Sequence, residues 1–245
     1  MTIASAPGGG RALGSIGIEM PSHFPAELYD RVHRRVSDSG PKIEAIQEQW
    51  GGAWNAVAHR YLAATRAATA FAESVSRAGD SPSPPERYEQ DAALFGFFVN
   101  GLSTLESLAY AAHAAGVLGD PGFFALATEA ERKTATIAAA RRRYATLSPP
   151  PVLASSLAKI EASGDFTAMR QARNVLAHRA VPGRLFLRDF GTAPPAPAVW
   201  KLRTHGGTDI ELDSHTTITR LAWLTGAVTE LIDGLDQYTA DRFGP

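Results

Sequence analysis

Along much of the chain, apolar residues recur at alternating spacings of three and four. Trp54, Val57, Tyr61, Ala64, Ala68, Phe71 and Val75 keep that rhythm, the pattern of a helix burying one stripe in a bundle seam. It predicts a helix from about residue 41 to Arg77, with Gly51-Gly52 as a candidate break. A shorter helix from Pro25 to Val36 precedes it, stopped by Ser37-Asp38-Ser39-Gly40-Pro41. Ser81-Pro82-Ser83-Pro84-Pro85 interrupts the pattern, and Glu86 opens a helix running to about Leu118. Its apolar face is Leu94, Phe98, Leu102, Leu105, Ala109 and Ala112. Beside that face lies a polar stripe of Ser103, Glu106, Tyr110 and His113, either a hydrated flank or a helix interface.

After the turn at Gly119-Asp120-Pro121-Gly122, the period predicts a helix over about 128 to 144, ending in Arg141-Arg142-Arg143. Pro149-Pro150-Pro151 breaks it, a short helix follows to about Glu161, and Gly164-Asp165 is expected to cap the next one. That helix ends at Ala180-Val181-Pro182-Gly183, because proline lacks the amide donor and glycine accepts left-handed geometry. Beyond it the period becomes two. Leu185 and Leu187, Trp200 and Leu202, and Ile210 and Leu212 alternate with polar or outward residues, which predicts three short strands over about 184–213. Thr204-His205-Gly206-Gly207-Thr208 has hairpin chemistry. A last helix, capped by Asp213 or Ser214, is expected from about Thr216 to Tyr238, with Ile218, Leu221, Val228, Leu231, Leu235 and Tyr238 facing inward. Residues 1–20, rich in Gly, Ala and Ser, read as a disordered tail, and 21–245 as a single domain. The class is therefore mainly α: a helical bundle with a small antiparallel β-meander and a C-terminal helix.

Composition narrows the chemistry. The 245 residues balance 24 basic against 25 acidic side chains, so no global field favours nucleic acid or membrane. Locally the balance shifts, because eleven basic residues stand against five acids from Glu129 to Asp189. Zero cysteines exclude disulfides and thiolate chemistry and suit a reducing cytoplasm. No stretch reads as a signal peptide or a membrane span, so a cytoplasmic protein without membrane contact is expected. Neither a metal-ligand pattern, a serine triad nor a phosphate-binding glycine loop is present, since Gly8-Gly9-Gly10 lies in the tail. No metal and no cofactor are expected.

What remains is Met169-Arg170-Gln171-Ala172-Arg173-Asn174-Val175-Leu176-Ala177-His178-Arg179. Arg173 falls between Phe166 and Met169 on the apolar stripe. Asn174 sits about 100° further round, and His178 about 140° from Arg173. A guanidinium bordering a core needs a carboxylate or phosphate partner, and Glu106 is the candidate that orients it across the bundle.

Arg173, Asn174 and His178 resemble the signature of the HEPN superfamily: an arginine followed by a polar residue, then a histidine after a short spacer. The resemblance implies a helical bundle, a homodimer whose two motifs meet, and a metal-independent endoribonuclease of the toxin or defence kind. The 2′-hydroxyl of RNA would be the nucleophile. Arg173, Asn174, His178 and Glu106 would form the catalytic set, with Arg170, Arg179, Arg141, Arg142 and Arg143 as RNA contacts and an antitoxin protein as a partner. The second reading is a non-enzymatic HEPN module that binds a nucleotide, RNA or protein through the same groove. A third is a purely structural polar cluster, with Arg173 paired inside the bundle.

Overall fold

The computed structural model describes residues 11–14, 16–79, 82–178, 183–185, 199–203 and 209–244; for 178 and 183–185 it describes the backbone alone. The protein is mainly helical. Strands β1 (Arg11–Ala12) and β2 (Glu19–Met20) precede helices α1 (Ala26–Ser39), α2 (Glu44–Ala78), α3 (Pro84–Gly119), α4 (Glu129–Thr134), α5 (Ile137–Ala145), α6 (Val152–Ala162) and α7 (Gly164–His178). Strands β3 (Gly183–Leu185), β4 (Val199–Arg203) and β5 (Asp209–Leu212) follow, and α8 (Thr216–Phe243) closes the chain. Two compact units can be distinguished by packing. The first holds Met1–Ala58, Leu105–Ile160 and Thr225–Pro245, the second His59–Thr104 and Glu161–Leu224. Helices α2, α3 and α8 each give a segment to both.

In the first unit the core is aromatic. Tyr29 stacks on Trp54 at 4.5 Å and donates its hydroxyl to the Trp54 carbonyl at 2.9 Å, while Trp50 stacks on Trp54 at 5.6 Å. That stack spans Gly51-Gly52, so α2 runs unbroken where a break was a candidate. Residues 11–14 and 16–20 also depart from the expected disordered tail. They form an antiparallel pair in which Arg11 faces Met20, Leu13 and Met20 are buried, and Arg11 meets Glu27 of α1 at 2.6 Å. The apolar face of α3 is buried as its spacing predicts, and every residue from Ala111 to Leu118 is enclosed. Length and composition would also let α3 cross a membrane, at mean hydropathy 1.3 over its best window, against the expectation of no such stretch; 56% of that window is buried inside the protein.

The helix expected over about 128 to 144 is two helices. Thr128 accepts from the Glu131 amide while Glu131 bonds back to Thr128, and Thr136 accepts from the Ala139 amide at 3.2 Å. Each threonine caps its own helix start, so the chain restarts at Thr136. Further on, Tyr144 donates to the Ala112 carbonyl at 2.6 Å, and Tyr238 and Arg242 of α8 both reach Asp120 at 2.8 Å.

The second unit contains the predicted meander, in the order β3-β4-β5 with both pairings antiparallel. It is built into that unit's core. Trp200 of β4, 1% exposed, meets Phe71 of α2 edge-on at 5.0 Å. The expected hairpin loop at 204–208 lies outside the described residues. Ahead of α8, Asp213 accepts from the His215 amide and the Thr216 hydroxyl, each at 2.9 Å, which fixes the turn into the helix. Ile218, expected inward, is 48% exposed, since it falls in the first turn, ahead of the buried run that Leu221 begins. α2 ends at Gly79, whose φ of 58° lets the chain leave the helix in the left-handed region.

Two glycines of α8 make a controlled comparison within the first unit. A Cβ at Gly234 would meet the Leu153 backbone, Cα at 3.0 Å and N at 3.2 Å, whereas one at Gly226 would meet nothing within 4 Å. We expect Gly234→Ala to cost about 1–3 kcal/mol and Gly226→Ala to be neutral or to stabilise by up to about 1 kcal/mol. Thermal unfolding of the two variants checks this, and equal shifts would contradict the close helix approach.

Candidate functional site

α7 carries the motif. The Ser163 hydroxyl accepts from the Asp165 amide at 3.2 Å, so Ser163, rather than Gly164-Asp165, supplies the cap. Asp165 sits in the first turn, where the helix dipole favours a carboxylate, and meets Arg220 of α8 at 3.3 Å. Phe166, Met169, Ala172 and Val175 form the buried stripe. Strand β4 lies against this helix.

Packing places α7 through a close approach at Gly101 of α3. A Cβ there would meet the Met169 methyl carbon at 2.7 Å and the Leu224 Cδ2 at 3.4 Å. With no side chain at 101, α7 and α8 both reach α3 at one point. A residue this small within an apolar run is the signal in the sequence for such an approach.

On that helix, Arg173 and Asn174 are half-buried neighbours and Arg170 is exposed. The Arg170 guanidinium lies over the Phe166 ring, 5.6 Å from its centroid, which holds the cation one turn before Arg173. His178 is the last residue of α7, roughly 7.5 Å along the axis from Arg173 by helix rise. Arg179 lies outside the described residues.

The other predicted residues belong to the first unit. Glu106 is an exposed residue of α3, Arg142 and Arg143 are exposed in the last turn of α5, and Arg141 is half-buried there. Of the stripe beside Glu106, Tyr110 donates to Gln49 of α2 at 2.7 Å and His113 is 4% exposed against Phe124. At Tyr110 the stripe is a helix interface, and at His113 it is covered by Phe124 of the loop after α3; neither is a hydrated flank. Burial holds the His113 imidazole below its ordinary pKa, as it does for His33 against Trp50. The structure thus brings Arg170, Arg173, Asn174 and the His178 backbone onto one helix of the second unit, while Glu106 and the arginines of α5 lie in the other unit. Among the described residues no three His, Asp or Glu side chains gather as a metal-ligating group.

Together these residues define a mainly helical protein with a small antiparallel sheet and a polar end on α7. No protein-family model, curated protein or solved structure matches the chain.

If Gly101 is what seats α7, Gly101→Leu should lower stability by about 1–3 kcal/mol, and Met169→Ala in the same chain should recover part of that loss. Calorimetry on the single and double variants checks the coupling. Strictly additive losses would contradict a shared contact.

Proposed function

We propose that the chain is a HEPN-like protein that acts on RNA through α7, as a metal-independent endoribonuclease of the toxin or defence kind and as a homodimer. The observation that supports this best is the pairing of Arg173 and Asn174, half-buried side by side, on the helix that His178 ends. RNA carries its own nucleophile. In this reading the 2′-hydroxyl oxygen bonds to the adjacent phosphorus, the bond to the 5′-oxygen breaks, and a cyclic phosphate and a 5′-hydroxyl result. His178 takes the hydroxyl proton or supplies the one that the leaving oxygen needs, since imidazole titrates near neutral pH. Arg173 neutralises charge growing on the phosphoryl oxygens, and Asn174 holds the imidazole or a phosphate oxygen.

The exposed Arg170, fixed over Phe166, favours a second reading: a module that holds a phosphate backbone, or an acidic protein partner, without cutting anything. Binding of that kind weakens steeply with salt because phosphate contacts release counterions.

Incubating mixed RNA with the protein in EDTA separates the two. Cleavage is expected to fall by about 100-fold or more in Arg173→Ala and His178→Ala, with a 2′-deoxy substrate left intact. Uncut RNA, or cleavage unchanged in both variants, would overturn the nuclease reading, and salt-sensitive binding without cleavage would favour the second.

A further inference from the structure

In the second unit, the C-terminal half of α2 and the N-terminal half of α3 border an open groove of about 540 Å³, and none of its lining residues belongs to α7. Its apolar floor is alanine: Ala67, Ala70, Ala92 and Ala93. Charges on its rim come in equal numbers. Arg77 and Glu89 neutralise each other at 2.9 Å. Arg66 and Glu73, both exposed on α2, have no ion-pair partner among the described residues. Along α3, Tyr88 is 76% exposed and Phe95 44% exposed, seven positions apart on one face with exposed Ala92 between them. Two exposed aromatics aligned on one helix face beside a small-residue groove mark an association surface rather than ordinary scatter.

We propose that this surface receives a second copy of the chain, with α2 packed antiparallel on its counterpart about a two-fold axis. The occupant follows from the charge pattern. In an antiparallel pair related by a two-fold, residues equidistant from the axis face each other. Arg66 and Glu73 are equidistant from a point between Thr69 and Ala70, both exposed, so Arg66 of each copy faces Glu73 of the other. Small side chains at the centre let the helix backbones approach closely. A nucleic acid would have to accept Glu73 on the rim, whereas a second copy neutralises it.

The ion pairs set register and orientation, because exposed pairs contribute little by themselves. Burial of Tyr88 and Phe95 supplies most of the affinity. This interface lies on α2, away from α7, so it is separate from the motif-to-motif contact that the HEPN resemblance implies and uses none of the RNA chemistry; its readout is the effect of charge reversal on mass, so the two readings can fail separately.

Charge reversal tests it, in sedimentation or light scattering across a concentration series at fixed salt. The unsubstituted protein is expected to dimerise. Arg66→Glu and Glu73→Arg, each placing like charges at two contacts per dimer, should each weaken the dimer by roughly 30-fold. The doubly reversed protein should return to within about 3-fold of the starting affinity, because both contacts become attractive again. Both side chains are exposed, so unchanged thermal unfolding of the three variants will show that the fold is intact. A wild-type protein that stays monomeric at every concentration, single variants that dimerise normally, or a double variant no better than the singles would each overturn the proposal.

Discussion

A helix segment that is apolar on nearly every side must be covered, and the end of α3 imposes that demand on the residues packed around it. The C-terminal half of α3, enclosed residue by residue from Ala111 to Leu118, is the part of the chain least able to face water. Fully burying a large aliphatic side chain is worth roughly 1.5–3 kcal/mol, and this helix buries Leu94, Leu102, Leu105, Leu108 and Leu118 among others. Coverage on all sides takes several elements, and α2 and α8 each give a segment to both units. Towards its N-terminus the same helix exposes Tyr88, Ala92 and Phe95, and this is the stretch inferred to meet a second copy.

The placement of α7 follows from the same demand. Gly101 removes the side chain that would hold α7 and α8 off α3, Asp165 ties the start of α7 to Arg220, and the buried stripe from Phe166 to Val175 fills the gap. Only the edges of the stripe are left for polar groups. Arg173 and Asn174 occupy such an edge, half in and half out of solvent, where a guanidinium retains most of its charge interactions while its stem packs. That compromise between core and water is what a phosphate-directed site needs, and a structural ion pair has the same need.

Periodicity made most of the helices legible before any coordinates. The α2 seam, the α3 face and the meander with Trp200 and Leu202 inward all follow spacings of three to four or of two. What escaped was set by individual side chains acting on the backbone. Thr136 splits one apparent helix because its hydroxyl satisfies an amide that would otherwise bond backward. Ser163, one residue before the expected cap, does the same for α7. The Gly51-Gly52 pair reads as a breaker, yet Trp50 and Trp54 stacked across it outweigh the cost of two glycines, roughly 1 kcal/mol each. At the site, the order of residues along α7 was legible from spacing alone. Spacing along one helix says nothing of which unit Glu106 or Arg141 joins.

The central proposal is that the chain cuts RNA by attack of the substrate's own 2′-hydroxyl, with Arg173 and His178 of α7 as the reacting groups. Mass spectrometry of the fragment ends left by the purified protein tests that most directly. The account predicts a 2′,3′-cyclic phosphate on one fragment and a 5′-hydroxyl on the other, with or without EDTA; fragments bearing a 5′-phosphate and a 3′-hydroxyl would contradict it.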